Sequence, residues 1–219
     1  DLNFDPHRGI NTLLIEKISR ASADQRSGRA GRTAPGISMR LWSKADQEVR
    51  QDQEAAEIHR IDLAETLLML TSAGKQDLEH FDWIEAPTRK SSERALELLK
   101  DLGALDREQL RITPLGKQMV AFPAHPRHSR MLITADHYNC VPKVCLVVAL
   151  SQGKSLLLQT KDKRIASERE KIWGEEITSD LQVEIQAYHY AEGYRFQTDA
   201  CRAIAVHAGS ARQVGQIYK

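Results

Sequence analysis

The chain has 219 residues, of which 41% are hydrophobic, 28% charged and 5% aromatic, a composition that supports packed cores and excludes a disordered or fibrous protein. Thirty-one Lys and Arg residues against thirty Asp and Glu residues give a net charge of +1, which excludes a protein that its overall charge drives onto polyanions. Three cysteines without CxxC pairing predict a reducing, cytoplasmic setting, and the absence of any run of about 18 apolar residues argues against a membrane-spanning helix.

Two short apolar runs at the N-terminus, Leu2–Asp5 and Ile10–Ile18, predict the strands of a β-hairpin. The residues between them, Pro6–Gly9, suit its turn because proline fixes φ and glycine accepts a positive φ. A two-stranded hairpin is marginal alone, so we expect a third strand, Ile37–Ser43, after the turn Ala34–Gly36. The N-terminus lacks the features of a signal peptide, and the chain begins as if cut from a longer protein.

The segment between the hairpin and that third strand is strongly basic. Residues 20–44 contain six basic residues and a single acid, Asp24, a local formal charge of +5 in a nearly neutral chain. Arg26, Arg29 and Arg32 follow at intervals of three, so on a helix they advance by about 300° per step and form one slowly drifting stripe. Three guanidinium groups on one face predict an anion site.

Two glycines, Gly28 and Gly31, alternate with these arginines and would form a second stripe without side chains, which lets a backbone or a ligand approach closely. A polyphosphate suits this arrangement, because arginine presents planar forks to phosphate oxygens and never loses its proton at working pH. An ordinary solvated helix face is the alternative that the residues alone leave open.

Downstream of these residues the pattern becomes that of a small helical domain. The polar segment Lys44–Ala56 lacks apolar periodicity and is interpreted as a connector or an exposed helix. Asp62 is suited to cap a helix that ends near Gly74, and a second helix is predicted over Thr88–Leu102. The residues expected to face inward are Leu63, Leu67, Leu68 and Leu70 in the first helix and Ala95, Leu98, Leu99 and Leu102 in the second.

A short wing follows these two helices. Gly103 is the expected C-terminal cap, and the runs Ala104–Asp106 and Leu110–Ile112 flank a polar turn. Thr113 followed by Pro114 then opens another helix, because a threonine cap and a proline in the first turn are both favoured there. Helix, helix and wing together predict a winged helix.

From Pro126 onward the sequence predicts a helical bundle without strands, punctuated by glycines. Its predicted helices are Pro126–Tyr138, Val141–Ser151, Lys161–Trp173, Ser179–Glu192, Thr198–Ala208 and Ser210–Tyr218.

The string Gln25–Arg32 resembles the QRxGRxGR motif VI of helicases with two RecA-like domains, most nearly the DEAH-box (DEAH/RHA) RNA helicases of the bacterial HrpB-like branch. The resemblance covers essentially the whole chain. The family's hairpin and the lead-in to motif VI are similar to residues 4–9 and 18–22. Its winged helix is similar to residues 57–63, 102–106 and 115–119. The start of its helical bundle, often called the ratchet or HA2 region, is similar to residues 122–127 and 149–151.

This resemblance implies a chain that is mostly α with a small β portion. Its first part would be a partial RecA-like α/β piece (1–46), which is the end of the second RecA-like domain and contains the hairpin and motif VI. A linker (47–56), a winged helix (57–120) and a helical ratchet bundle (121–219) would follow.

The resemblance also implies a nucleotide site made of Gln25, Arg26, Arg29 and Arg32, in which Arg29 and Arg32 are catalytic fingers on the γ-phosphate. Arg32 is the first choice for that role, whereas Arg26 is expected to face its own domain and pair internally. ATP and Mg²⁺ would be the cofactors of the full-length protein. Its partners would be single-stranded or structured RNA and the missing N-terminal RecA-like domain of the same chain, with no membrane.

The chain contains neither a P-loop nor a DEAH string, so the resemblance implies a fragment that hydrolyses no ATP by itself. Gly153-Lys154-Ser155 imitates a P-loop, but Val148 occupies the position of its first glycine. In the full-length protein, hydrolysis would drive translocation on RNA and its unwinding. A non-catalytic winged-helix module that binds nucleic acid or docks on a protein is the alternative.

Two groups of residues are candidate RNA contacts. In the hairpin, His7 and Arg8 would lie where the family opens a duplex, and an ordinary surface hairpin has equal weight. Lys161, Lys163 and Arg164 lie in the basic run 154–171, which could line an RNA channel or form a solvated helix face. The predicted winged helix carries mixed charges on its second helix, which favours a scaffolding role.

The remaining histidines, cysteines and aromatic residues are interpreted as structural. Partly exposed imidazoles and buried thiols are favoured over a zinc site, because the spacings match no common site for His125, His128, His137, Cys140 and Cys145. Positions in the core or at an interface are expected for Tyr188, Tyr190, Tyr194 and Phe196.

Overall fold

The computed structural model describes residues 2–5, 10–13, 16–75, 77–78, 80–174 and 179–218. The chain divides into two compact units, unit 1 (Asp1–Pro126) and unit 2 (Arg127–Lys219). Both are built mainly from helices, as the sequence predicts. Within the described ranges, no helix combines the length and the apolar character needed to cross a membrane.

Unit 1 begins with a two-stranded antiparallel sheet. Strand β1 (Leu2–Asp5) pairs with β2 (Ile10–Leu13) in a register that places Leu2 opposite Leu13. The predicted hairpin is therefore confirmed, although its second strand is shorter than expected. The predicted turn, residues 6–9, lies outside the described residues.

The third strand expected over Ile37–Ser43 is wrong. These residues form no strand, and the apolar side chains of Ile37, Met39 and Leu41 are largely exposed. A strand needs a neighbour that completes its ladder of hydrogen bonds, and no residue described in the structure pairs with this segment in that way. A run of residues that favours a strand does not by itself supply the neighbouring strand.

The hairpin is followed by helix α1 (Arg20–Arg29) and the short helix α2 (Lys44–Glu48). Ser43 caps α2 by accepting a hydrogen bond from the backbone N–H of Asp46 at 3.0 Å. No residue of α2 is buried, which agrees with the predicted exposed connector. A single 3₁₀ turn, Glu57–His59, precedes the next helices.

Three helices form the winged-helix part of unit 1: α3 (Ala64–Ser72), α4 (Arg89–Asp101) and α5 (Pro114–Val120). Helix α3 packs against both α4 and α5. The predicted wing is reduced to one β-bridge, between Leu105 and Ile112. The buried residues at the centre are Leu63, Ala64, Leu67, Leu68, Ala95, Leu99, Ala104, Leu105 and Met119.

The caps predicted at Thr113 and Gly103 are confirmed, whereas the N-cap of α3 is Leu63 rather than Asp62. The side chains of Thr88 and Thr113 accept backbone hydrogen bonds in the first turns of α4 and α5. Gly103 follows α4 with a φ of 73°, a conformation that glycine adopts without strain. Asp62 accepts the backbone N–H of Ala64 at 2.8 Å. These contacts stop the helices at the positions that their sequences indicate.

Unit 2 contains the bundle helices α6 to α11. Helix α7 packs against α9 and α11, and α10 packs against the same two helices. Their bounds are Pro126–His137 (α6, whose first residue belongs to unit 1), Val141–Gln152 (α7), Lys163–Trp173 (α8), Asp180–Gly193 (α9), Thr198–Ala203 (α10) and Ala208–Tyr218 (α11).

The predicted helix over Thr198–Ala208 is too long, because the chain leaves the helix after Ala203. Ala205 has a φ of 48°, and its carbonyl accepts the backbone N–H of Leu158 at 2.9 Å. An isolated β-bridge joins Leu157 to Val206 at the same place. Pairing with a distant loop therefore replaces the helical hydrogen bonds that local propensity favours.

The core of unit 2 is organised around Tyr188, which is fully buried on α9. Its ring packs near the rings of Phe196 and Tyr218, with centroids 6.1 Å away in both cases. Its hydroxyl donates a hydrogen bond to Oε1 of Glu192 at 3.1 Å. Burial, reinforced by the Glu192 carboxylate, raises the pKa of Tyr188 to about 12.

The elevated pKa of Tyr188 predicts a loss of stability in alkali. The unfolded tyrosine ionises near its ordinary pKa of 10.0, whereas the folded one keeps its proton to about 12. Its contribution of roughly 2–3 kcal/mol is complete below pH 10 and disappears as the pH rises to 12. Urea unfolding measured across this window should show the decline. Tyr188→Phe should reduce the decline, whereas Tyr138→Phe, at an exposed ring, should leave it unchanged.

Candidate functional site

The helix that carries the predicted anion site, α1, begins at a well-defined cap. Ser19 is buried, and its hydroxyl oxygen accepts the backbone N–H of Ser22 at 3.1 Å. The first helical N–H groups would otherwise have no partner. Those of Arg20 and Ala21 donate to the carbonyls of Gln51 and Asp52 at 2.8 and 3.0 Å. The start of α1 is thus fixed both by its own capping residue and by the carbonyls of a distant segment.

The end of α1 differs from the expected stripe of three arginines. The helix ends at Arg29, and the N–H of Ala30 closes it on the carbonyl of Ser27 at 3.1 Å. Arg32 therefore lies beyond the helix, and only Arg26 and Arg29 share it.

After α1 the chain turns and runs back along the helix through a segment that we call the return segment, residues 36–40. A Cβ on Gly36 would lie 1.9 Å from the carbonyl oxygen of Ala30, so the two backbones are in close contact there. The Ser38 hydroxyl donates to that of Ser27 at 3.1 Å. Arg40 then pairs with Asp24 at 2.5 Å.

These contacts give the return segment two sides. Its even-numbered residues contact Asp24 and Ser27 of α1 and Ala30 directly after it, positions that follow at intervals of three, or roughly one helical turn. Its odd-numbered residues, Ile37 and Met39, are exposed instead. The arginines of α1 lie at positions 26 and 29, outside the covered face. The return segment therefore leaves the arginine side of the helix open.

The charges of this region are distributed unevenly. Asp24, the single acid of residues 20–44, is engaged by Arg40, while Arg20 pairs with Asp52. The three remaining arginines and Gln25 are exposed. Within the described part of the chain, no hydrogen bond or ion pair engages the side chain of Arg26, Arg29 or Arg32. The internal pair expected for Arg26 is accordingly not found there.

The two glycines of the motif have open space around them. A Cβ added to Gly28 or to Gly31 would have no described heavy atom within 4 Å. No described residue of this chain therefore packs closely against these two glycines. Room remains on this surface for a ligand or another protein segment.

The residues of this site fit the phosphates of a nucleotide, but they do not fit Mg²⁺. Guanidinium groups without a carboxylate partner can donate paired hydrogen bonds to phosphate oxygens. Magnesium requires oxygen ligands, commonly carboxylates, and the single acid of residues 20–44, Asp24, is paired with Arg40. Over the described ranges, no group of three or more His, Cys, Asp or Glu side chains is arranged for a metal ion.

The candidate RNA residues occupy different places. His7 and Arg8 lie outside the described residues. Lys161 precedes α8, and Lys163 and Arg164 occupy its first turn, all three exposed. Arg164 approaches Asp162, the residue that caps α8, at 3.7 Å. The basic group at α8 belongs to unit 2, whereas residues 25–32 belong to unit 1.

Arg169 does not belong to the solvated basic run in which the sequence places it. Its guanidinium donates to the carbonyls of Leu158, Ile204 and Ala205 at 2.7 to 3.1 Å and lies 5.3 Å from the ring of Trp173. Burial lowers its pKa. Arg169 therefore joins α8 to the irregular chain between α10 and α11 and is a structural residue.

Sequence reasoning missed the residues that hold the motif in place. Arg40 neutralises Asp24 from 16 positions away, and Gly36 allows the return segment to touch the end of α1. A turn was predicted at Gly36, but no local signal connects it to Ala30. Only the folded chain shows these relations.

Two family models match the chain. Residues 95–124 match the helicase associated domain (HA2), winged-helix, which agrees with the fold of α4, the wing and α5. Residues 125–201 match the helicase associated domain (HA2), ratchet-like, over α6 to α9 and the first turn of α10. These two stretches are therefore similar to the winged-helix and ratchet-like HA2 domains that are found in DEAH/RHA helicases.

Proposed function

We propose that this chain is part of an ATP-dependent RNA helicase, in which Arg29 and Arg32 contact the γ-phosphate of a nucleotide held by a separate RecA-like lobe. The observation that carries the proposal is the set of three exposed arginines whose only nearby acid is paired elsewhere. An HA2 region on the same chain supports the helicase context. The resemblance of residues 25–32 to motif VI supports the identity of the ligand.

The chemistry of this role is electrostatic. Phosphoryl transfer spreads negative charge over the equatorial oxygens, and a positioned guanidinium stabilises that charge without having to give up a proton. Arg32 lies in the turn beyond α1, where its backbone is not constrained by the helix, so it is the first candidate for the finger. Arg29 at the helix end would bind the same phosphate from the side, and Gln25 would orient the nucleophilic water.

The RNA part of the proposal concerns unit 2. Lys161, Lys163 and Arg164 form an exposed basic group at the start of α8, and basic side chains along a groove bind the backbone of single-stranded RNA. Hydrolysis at the motif VI site would then be coupled to movement of the strand through the HA2 domains. The winged helix, with mixed charges on α4, would act as a scaffold for this coupling.

Hydrolysis by a form of the protein that includes the nucleotide-holding lobe tests the nucleotide role. The double variant Arg29→Ala/Arg32→Ala should abolish measurable turnover while leaving the folded structure unchanged, because both side chains are exposed. The matched control is Arg89→Ala/Arg94→Ala, which removes two exposed arginines from α4. An unchanged rate in the first variant would refute the proposal. The 219-residue chain alone should show no ATP hydrolysis, because it lacks a P-loop.

A further inference from the structure

A second set of contacts, centred on Arg50, holds the residues that lead into α1. The Arg50 side chain is only 7% exposed. Its Nη1 donates to the carbonyl of Ile18 at 2.9 Å, and its Nη2 pairs with Oδ2 of Asp46 at 2.7 Å. The guanidinium also lies 4.2 Å above the ring of Trp42. One side chain therefore contacts the residues before α1, helix α2 and Trp42, which follows the return segment.

The two residues that follow Arg50 extend this grip onto α1 itself. The carbonyls of Gln51 and Asp52 accept the first N–H groups of the helix, from Arg20 and Ala21. The Asp52 carboxylate also pairs with the Arg20 guanidinium. We call residues 50–52 the start clamp, because all of their contacts to α1 fall on its first turn and its lead-in.

The anchor of the start clamp is Asp46 on α2. Its Oδ1 is bound by Lys17 at 2.6 Å and its Oδ2 by Arg50. These hydrogen bonds, first from Lys17 and then from Arg50, hold the pKa of Asp46 below its ordinary value. Trp42 is in turn fixed by a hydrogen bond from its indole N–H to Gln47 at 2.7 Å.

The contacts of Arg50 suit a positioning role better than a purely stabilising one. Its Nε is buried without a hydrogen-bond partner in the described structure, so the residue retains a desolvation penalty. Buried ion pairs are often no more stable than the apolar groups that could replace them. What Arg50 supplies is geometry: a planar fork that meets a carboxylate and a backbone carbonyl at once.

We propose that Arg50 is a positioning residue for the motif VI arginines, fixing the direction of α1 from the linker that leads to the winged helix. The proposal rests on the role proposed above for Arg29 and Arg32 at the phosphate. Because α1 carries Arg29 and ends just before Arg32, a tilt at its first turn displaces both side chains. Misplacement by about 1 Å of a catalytic group can cost as much as 100-fold in rate.

The test compares Arg50→Ala and Arg50→Lys in the protein that includes the nucleotide-holding lobe. Arg50→Ala should lower kcat by about 10- to 100-fold, because the finger arginines are misaligned. The KM for ATP should stay within about threefold of the wild-type value, since the other lobe holds most of the nucleotide. Arg50→Lys keeps the contact with Asp46 and should recover part of kcat.

Amide hydrogen exchange provides a readout that separates positioning from unfolding. In both variants the amides of Arg20 and Ala21 should exchange at least about tenfold faster, while the amides of α4 keep their protection. If Arg50→Ala also speeds amide exchange in α4, unit 1 is partly unfolded in that variant, and Arg50→Lys is then used to test the positioning role. A lysine variant with faster exchange at Arg20 but full kcat would overturn the proposal.

The control is Arg89→Ala, which removes an ion pair of the same spacing and length, to Glu93 at 2.7 Å, from the surface of α4. It should change neither kcat nor exchange in α1. Wild-type kcat in Arg50→Ala, together with inactive Arg29→Ala/Arg32→Ala, refutes the positioning role alone. Wild-type rates in all of these variants refute the proposed function itself.

Discussion

Replacing Arg32 by alanine should lower the rate of ATP hydrolysis by about 10³- to 10⁵-fold, the range expected for an arginine finger. Arg32→Lys should recover little of it, because an ammonium group is a point charge and cannot form the paired hydrogen bonds of a guanidinium. In the structure Arg32 is exposed beyond the end of α1, with no hydrogen bond or ion pair to any described residue. Its loss therefore removes an interaction with the nucleotide and little else.

The other motif arginines should follow in a defined order. Arg29→Ala should cost about 10²- to 10³-fold, as expected for removal of one group that stabilises developing charge. Arg26 is three residues further from the helix end and should matter least. Steady-state phosphate release at saturating ATP measures all three, with Arg94→Ala on α4 as the control. Equal, small effects at the three positions would indicate a solvated helix face.

Gly116→Ala should destabilise unit 1 by about 3 kcal/mol or more, the cost of forcing an extra group into a packed region. A Cβ at this position would lie 2.2 Å from the Ala104 carbonyl oxygen and 2.9 Å from Cγ1 of Ile112. The same carbonyl accepts the backbone N–H of Thr113 at 3.0 Å. Helix α5 could yield only by moving away from the wing and breaking its own cap.

Helix propensity predicts the opposite sign for this substitution, a gain of about 1 kcal/mol for alanine over glycine inside a helix. Urea unfolding therefore distinguishes the two effects by sign. Gly193→Ala is the matched control, because Gly193 ends α9 and a Cβ there meets no described heavy atom within 4 Å. That variant should be neutral or slightly stabilised. A stabilised Gly116→Ala would show that the wing can move at little cost.

Helix caps and apolar periodicity could be read from the sequence because they depend on residues three or four positions apart. Thr113 caps the helix that it was expected to cap, Thr88 lies at the start of the helix predicted there, and Gly103 follows the end of α4. The winged helix and the bundle were predictable for the same reason, since each helix presents an apolar face that must be buried. The charge of the arginine string predicts an anion site, and that interpretation stays a prediction.

The failures share one physical cause, which is that distant parts of the chain replaced local preferences. The strand expected at Ile37–Ser43 found no described neighbour, and Ser38 and Arg40 contact α1 instead. The helix expected to continue past Ala203 was broken by backbone pairing with residues 156–158. Arg169 turned inward to bind carbonyls 35 and 36 positions away.

The sequence by itself determined where most of the helices lie, which faces are apolar and where positive charge is concentrated. The tertiary structure alone decided that Arg40 would neutralise Asp24, that Arg32 would lie beyond the helix, and that Arg50 would hold the lead-in to α1 from 32 positions away. Local hydrogen bonds and periodicity act within one or two turns of chain. Ion pairs and backbone contacts between distant segments depend on the path of the folded chain, which no short-range pattern encodes.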